Sequence, residues 1–154
     1  MSLRERFTAE MKEAMKGGDK ARLATIRLIQ AALKDRDIEA RGLGKAPLAE
    51  EDILGLLQKM IKQRQESATL YDQGKRDDLA SVERAEIAVI SAFLPAQMDE
   101  AETASAVEAA IAETAAAGPK DMGKVIGALK AKFTGRMDFG RASGLVKAAL
   151  AARG

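Results

Sequence analysis

The side chains that most often perform catalysis or bind metals are absent from this 154-residue sequence. It contains no cysteine and no histidine, which excludes disulfides and thiolate zinc sites and removes the commonest general base. The best remaining catalytic pair is Ser143 and Lys147, which stand four residues apart and therefore on neighbouring turns of a predicted helix. Such pairs are common on helix surfaces, and no phosphate-binding loop of the GxxxxGK(S/T) type is present. We therefore predict no catalytic residue, no metal site and no cofactor.

A different chemistry is indicated by KDMGKVIGALKAKFTGRMD, residues 120–138, which has the spacing of an amphipathic helix but contains two glycines. Glycine in a helix interior costs about 1 kcal/mol relative to alanine. At 100° per residue, Gly123, Gly127 and Ala131 form a row on a different side from the apolar residues. Cationic side chains surround this row: Lys120, Lys124 and Lys130 lie beside it, and Lys132 lies further round.

Two kinds of partner suit a helix face with exposed backbone and lysines. One is a second helix that approaches closely. The other is a phosphate backbone, for which bare amides and ammonium groups are suitable donors. The candidate RNA-binding residues are Lys120, Gly123, Lys124, Gly127, Lys130, Lys132 and Arg136.

Charge is distributed unevenly along the chain, although the net charge is only +2. Residues 96–118 contain five acidic and no basic residues, whereas residues 119–154 contain eight basic and two acidic residues, a net charge of +6. Only 3% of the residues are aromatic, and proteins that read single strands stack bases on exposed aromatic side chains. An RNA partner would therefore be a structured one, recognised by its shape and its phosphates.

Apolar residues recur at helical spacing along nearly the whole chain, and no convincing strand pattern appears. We predict four helices before Pro95 and three after it, because proline interrupts a helix and the composition changes there. The first helix is assigned the stripe Leu3, Phe7, Met11 and Met15, and Ile38 is assigned to the buried side of the second. Asp19 is the predicted cap of the second helix, and Asp99 with Glu102 forms a predicted capping box at the start of the fifth, which is expected to end at Gly118. The prediction is an all-α protein with an N-terminal domain at 1–95, a bundle of about four helices, and a three-helix domain at 96–154.

Two segments resemble the GatB/YqeY family: KDMGKVIGALKAKFTGRMD and LQKMIKQRQESATLYDQGKRDDLASVERAEIAVISAFLPAQM, residues 57–98. Their order and the chain length are similar to the free-standing YqeY-like proteins. The C-terminal part is similar to the tail domain of the B subunit of the tRNA-dependent aspartyl/glutamyl amidotransferase, a domain that contacts the tRNA body. The resemblance implies an all-helical protein in two parts and an association with tRNA. The catalytic part of the B subunit has no counterpart here, so its kinase and transamidation chemistry do not carry over.

We therefore expect a tRNA-associated accessory protein that binds tRNA or another structured RNA through its C-terminal domain and has no catalysis of its own. Two alternatives stay open: an accessory component of a glutamine-dependent amidotransferase, a carbon–nitrogen ligase with glutamine as amido-N-donor, and a helical protein–protein module. The first alternative would have amidotransferase components as partners. We expect no DNA partner. We also expect no membrane association, since no stretch approaches the roughly 20 apolar residues of a bilayer span. The start MSLRERF lacks a signal peptide pattern, so a cytoplasmic location is expected.

Overall fold

A computed structural model of the protein describes residues 1–153. These residues form seven α-helices and no strand, which confirms the predicted all-α fold. A short 3-10 turn, Pro119–Asp121, precedes the sixth helix. The helices are α1 (Leu3–Lys16), α2 (Lys20–Gly42), α3 (Glu50–Gln73), α4 (Asp77–Ser91), α5 (Glu100–Glu113), α6 (Met122–Phe133) and α7 (Phe139–Arg153).

The chain divides into two compact units, Met1–Pro95 and the part that begins at Ala96. In the first unit, α3 and α4 form a long hairpin, and α2 packs against α1, α3 and α4. Phe7 and Phe93 meet edge to face in its core with ring centroids 4.9 Å apart. The buried cluster comprises Leu3, Phe7, Ala14, Ile26, Ile29, Leu33, Ile53, Leu56, Leu57, Met60, Ile90 and Phe93.

In the second unit, α5, α6 and α7 pack against one another around a core of its own. Its first helix begins with the predicted capping box, in which Asp99 accepts the N–H of Glu102 and Glu102 accepts the N–H of Asp99. The buried cluster comprises Val107, Ala110, Ile111, Ala116, Val125, Leu129, Met137, Ala142, Val146 and Leu150.

Two predicted core positions are wrong. Met15 is 54% exposed and Ile38 is 59% exposed. A step of four residues advances 400° around the helix, so a stripe repeated only at four drifts off the buried side, and Ala14 is buried in place of Met15. Ile38 falls five residues after the buried Leu33, about 140° further round the helix, and therefore reaches the outer face of α2.

One helix end also differs from the predicted one. Helix α5 was expected to reach Gly118 but ends at Glu113, and Ala115 adopts the left-handed region with φ of +51°. This change of direction carries the buried Ala116 into the core. At the end of α3 the left-handed residue is Lys75 (φ +57°), one position after Gly74.

Candidate nucleic-acid interface

Helix α6 turns its glycines away from the core of its unit. Val125 and Leu129 are buried, whereas Gly123 and Gly127 are exposed. A methyl group added at either glycine would meet no heavy atom within 4 Å beyond the local backbone. The backbone of α6 is therefore accessible at these two glycines.

Three lysines close to the row along the chain are exposed: Lys124 and Lys130 on α6, and Lys120 in the 3-10 turn that precedes this helix. Among residues 1–153 none of these three forms an ion pair, and the ammonium group of Lys130 lies 6.0 Å from the centre of the Phe139 ring. The α6 glycine face is defined here as Gly123, Gly127 and Ala131 with Lys120, Lys124 and Lys130. Its charge is available to an external anion.

Asp121 stands at the start of this face and has a structural partner. Its carboxylate accepts the backbone N–H of Ala117 at 2.9 Å, and this hydrogen bond holds the pKa of Asp121 below its usual range. The nearby charges of Lys124 and Lys120 lower the same pKa further. The negative charge of Asp121 therefore reduces the positive potential at this end of the face.

Other cations of the C-terminal segment are paired with α5. Lys132 donates to both carboxylate oxygens of Glu113 at 2.7 and 2.8 Å. Arg153 donates to Glu108 at 3.1 Å, and Arg141 is paired with Glu100. The net charge of +6 over residues 119–154 is therefore opposed by the acidic α5, and residues 96–154 together carry eight basic and seven acidic residues, a net charge of +1.

Arg136 joins two segments of the second unit. Its Nε donates to the carbonyl oxygen of Ala96 at 3.2 Å, and its own carbonyl accepts the backbone N–H of Met98 at 2.9 Å. The residue is half-buried. The structure thus leaves Lys120, Lys124 and Lys130 exposed and without ion pairs among residues 1–153, and it places Lys132 and Arg136 in contacts with other parts of the unit.

The remaining chemistry considered from sequence is not assembled into a site. Ser143 is half-buried and Lys147 is exposed on α7, and no hydrogen bond joins their side chains in the part of the chain that the structure describes. No group of three His, Cys, Asp or Glu side chains over residues 1–153 is arranged to hold a metal ion. Across the same residues, no helix combines the length and the apolar content that a membrane span requires.

The described chain is thus an all-α protein of two helical units, the second of which carries an exposed lysine and glycine face. The family model described as Yqey-like protein matches residues 4–150. The chain belongs to this family, which confirms the resemblance of the two segments.

Curated relatives share the name "Altered inheritance of mitochondria protein 41, mitochondrial". The protein from Pyrenophora tritici-repentis is 31% identical over 134 residues, which is 85% of this chain and 71% of the relative. The proteins from Clavispora lusitaniae and Candida glabrata are each 34% identical, over 59% and 55% of this chain and 52% and 46% of their own lengths. The chain thus spans about half the length of these two relatives.

These names correct one prediction. The relatives are named as mitochondrial proteins, so the expected cytoplasmic location is wrong. That expectation rested on the lack of a signal peptide pattern and of an apolar span, and neither feature separates the cytoplasm from an organelle interior.

Proposed function

We propose that this protein is a tRNA-associated accessory protein that binds tRNA or another structured RNA through the α6 glycine face. The proposed RNA-binding domain is the C-terminal domain, residues 96–154, and the proposed role includes no catalysis. The observation that carries the proposal is the exposed row of Gly123 and Gly127 beside three lysines without ion pairs. Backbone amides and ammonium groups are the donors that phosphate oxygens accept.

The first argument for the proposal is geometric. Without Cβ atoms at two successive turns, an RNA backbone can approach the α6 backbone more closely than a leucine or lysine row would allow. The second is the family resemblance, because the similar tail domain of the amidotransferase B subunit contacts tRNA. Aromatic residues lie mostly in the cores, as Phe7 and Phe93 do, which favours phosphate contacts over base stacking.

The test is a titration of the full chain with total tRNA, followed by fluorescence anisotropy and repeated at rising salt. The α6 variant carries Lys120→Gln, Lys124→Gln and Lys130→Gln. The control variant carries Lys12→Gln, Lys59→Gln and Lys62→Gln, three exposed lysines of the first unit, so both lose three charges. We expect the slope of log affinity against log salt to fall by about three in the α6 variant only. No binding of wild-type protein at low salt contradicts the proposal.

Two alternatives rest on specific observations. The open Gly123–Gly127 row also suits a docking helix of another protein. Gly127→Leu would disturb either partner, whereas the α6 variant leaves the glycines open and would then keep a docked helix. The family resemblance suits an accessory of glutamine-dependent amidotransferase. This second alternative predicts that the protein stimulates amide transfer from glutamine to misacylated tRNA, and an assay that shows no dependence on it contradicts that role.

A further inference from the structure

Helix α2 carries a regular series of cations that the α6 glycine face does not include. Lys20, Arg27, Lys34 and Arg41 follow one another at intervals of seven residues, and all four are exposed. Seven residues advance an α-helix by about two turns with a drift of only about 20°. The four side chains therefore stay on one side of α2 and form a row about 31 Å long at 1.5 Å per residue. We call this set the α2 cationic row.

The row is not neutralised by the first unit. None of its four members forms an ion pair or a side-chain hydrogen bond among residues 1–153, whereas Arg22 on the same helix is paired with Glu10. Asp37 lies near Lys34 and Arg41 in the helix. Its carboxylate, however, accepts hydrogen bonds from both terminal guanidinium nitrogens of Arg4 and from the backbone N–H of Leu48.

The other acidic residues of α2 lie away from the row. Asp35 and Glu39 project about 100° or more around the helix from Lys34 and Arg41, as calculated from 100° per residue. Positions four residues after Lys20, Arg27 and Lys34 are the exposed Ala24, Ala31 and Ile38. Between Lys20 and Lys34 the outer face of α2 thus alternates cations with uncharged residues, and the one carboxylate near the row between Lys34 and Arg41 is that of Asp37, which is paired with Arg4.

The length and spacing of the row indicate which kind of anion can contact all four cations. A free phosphate or a short acidic peptide would reach one or two of four charges that are about 10 Å apart. A double helix offers phosphates along a rigid length greater than 31 Å, and its backbone takes contacts from lysine and arginine without base readout. No aromatic side chain stands in the row on which a single-stranded base could stack.

We infer that the α2 cationic row is a second RNA contact, on the N-terminal unit, which binds the phosphate backbone of a double-helical segment. The inference takes its class of ligand from the proposed function but does not depend on the α6 glycine face. It assigns a role in RNA binding to the N-terminal unit.

The test uses the full chain with two probes, total tRNA and a blunt RNA duplex of roughly 16 base pairs. The α2 variant carries Arg27→Gln, Lys34→Gln and Arg41→Gln, and its comparators are wild type, the α6 variant and the control variant described above. Affinity is measured by anisotropy at several salt concentrations, and circular dichroism checks that each variant keeps its helices. For the α2 variant we expect duplex affinity to fall about tenfold or more at low salt and the salt slope to fall by about three.

Each outcome separates the two sites. Loss in the α2 variant with an unchanged α6 variant supports the row and contradicts the proposed α6 site, and the reverse result overturns the row alone. Equal losses in the α2 and control variants also overturn it, because the effect is then one of net charge. Phosphatidylglycerol vesicles test whether the row binds a membrane surface instead. If the α2 variant keeps its RNA affinity but loses binding to these vesicles, the row belongs to an anionic membrane surface and the RNA contact is overturned.

Discussion

The ammonium group of Lys132 lies 2.7 and 2.8 Å from the two carboxylate oxygens of Glu113, and this pair joins α6 to α5. Lys124, on the same helix, is exposed and without an ion pair in the described chain. The two lysines have the same chemistry and differ in their surroundings. A comparison between them therefore separates the local geometry of α6 from its total charge.

We expect Lys124→Gln and Lys132→Gln to affect tRNA binding differently. Lys124→Gln should lower the salt slope by about one, because one phosphate contact is lost. Lys132→Gln should leave the slope nearly unchanged and lower the free energy of unfolding by no more than about 1 kcal/mol, since the pair with Glu113 is exposed. Equal slopes for the two variants would contradict a site centred on the glycines.

Replacement of Gly127 by alanine should stabilise the protein. The added methyl group meets nothing within 4 Å, and alanine is favoured over glycine inside a helix by up to about 1 kcal/mol. Gly55→Ala in α3 is the matched control, because that methyl group also meets nothing. Urea denaturation should show a gain of about 0.5–1 kcal/mol for both variants, whereas tRNA affinity should fall only for Gly127→Ala. Destabilisation by Gly127→Ala would mean that another part of the chain covers this row.

Asp37 should contribute stability that depends on pH. The hydrogen bond from Arg4 lowers the pKa of Asp37, and the N–H of Leu48 lowers it further. Because the folded pKa lies below the unfolded value of about 3.9, the contribution is complete above that value and is lost as pH falls through the folded pKa. Asp37→Asn should cost about 1 kcal/mol at pH 7, since the pair is partly exposed.

The control for Asp37 is Asp35→Asn, an exposed aspartate two residues earlier on α2. Urea denaturation from pH 7 down to pH 3 should show the difference between wild type and Asp37→Asn shrinking at the acidic end. Asp35→Asn should stay within about 0.5 kcal/mol of wild type throughout. A difference for Asp37→Asn that grows on acidification has the wrong sign for this account.

Met137 should be among the most costly residues of the second unit to truncate. It lies in the turn between α6 and α7, is fully buried and belongs to the core cluster of this unit. Met137→Ala should lower the free energy of unfolding by about 2–5 kcal/mol. Met15→Ala removes the same atoms from an exposed position and should change the free energy of unfolding by less than about 0.5 kcal/mol. Chemical denaturation of both variants checks the contrast, and a small effect of Met137→Ala would contradict the assigned core.

Much of the fold could be predicted from sequence because helical periodicity and capping are local properties. Asp19 and Asp99 begin α2 and α5 as predicted, since each carboxylate accepts an N–H three residues later. Met137 could not be assigned in this way, because it follows α6 in a turn where no periodicity applies. The left-handed Ala115 was missed for a related reason: its conformation serves the packing of Ala116, which local propensity does not contain.

The candidate site was predictable only in part. The helical wheel placed Lys120, Lys124 and Lys130 beside the glycines; Lys124 and Lys130 lie on α6, whereas Lys120 lies in the 3-10 turn before it, where the wheel does not apply. The wheel could not show that Lys132 meets Glu113, because the partners are 19 residues apart and on different helices. The seven-residue interval of the α2 cationic row is present in the sequence, but only packing shows that α1 and α3 supply no carboxylates to neutralise it.

The segregation of charge between α5 and α6 has a consequence for the approach of a ligand. All four charged residues of α5 are acidic, and three of them hold cations that come from α6 and α7. These pairs leave Lys120, Lys124 and Lys130 near the glycines, and Lys147 on α7, as the lysines of the second unit without an ion pair among residues 1–153, so its positive charge is unevenly placed although its net charge is small. A polyanion that diffuses toward it experiences a torque before contact, so orientation and association rate are more sensitive to ionic strength than a net charge of +1 suggests.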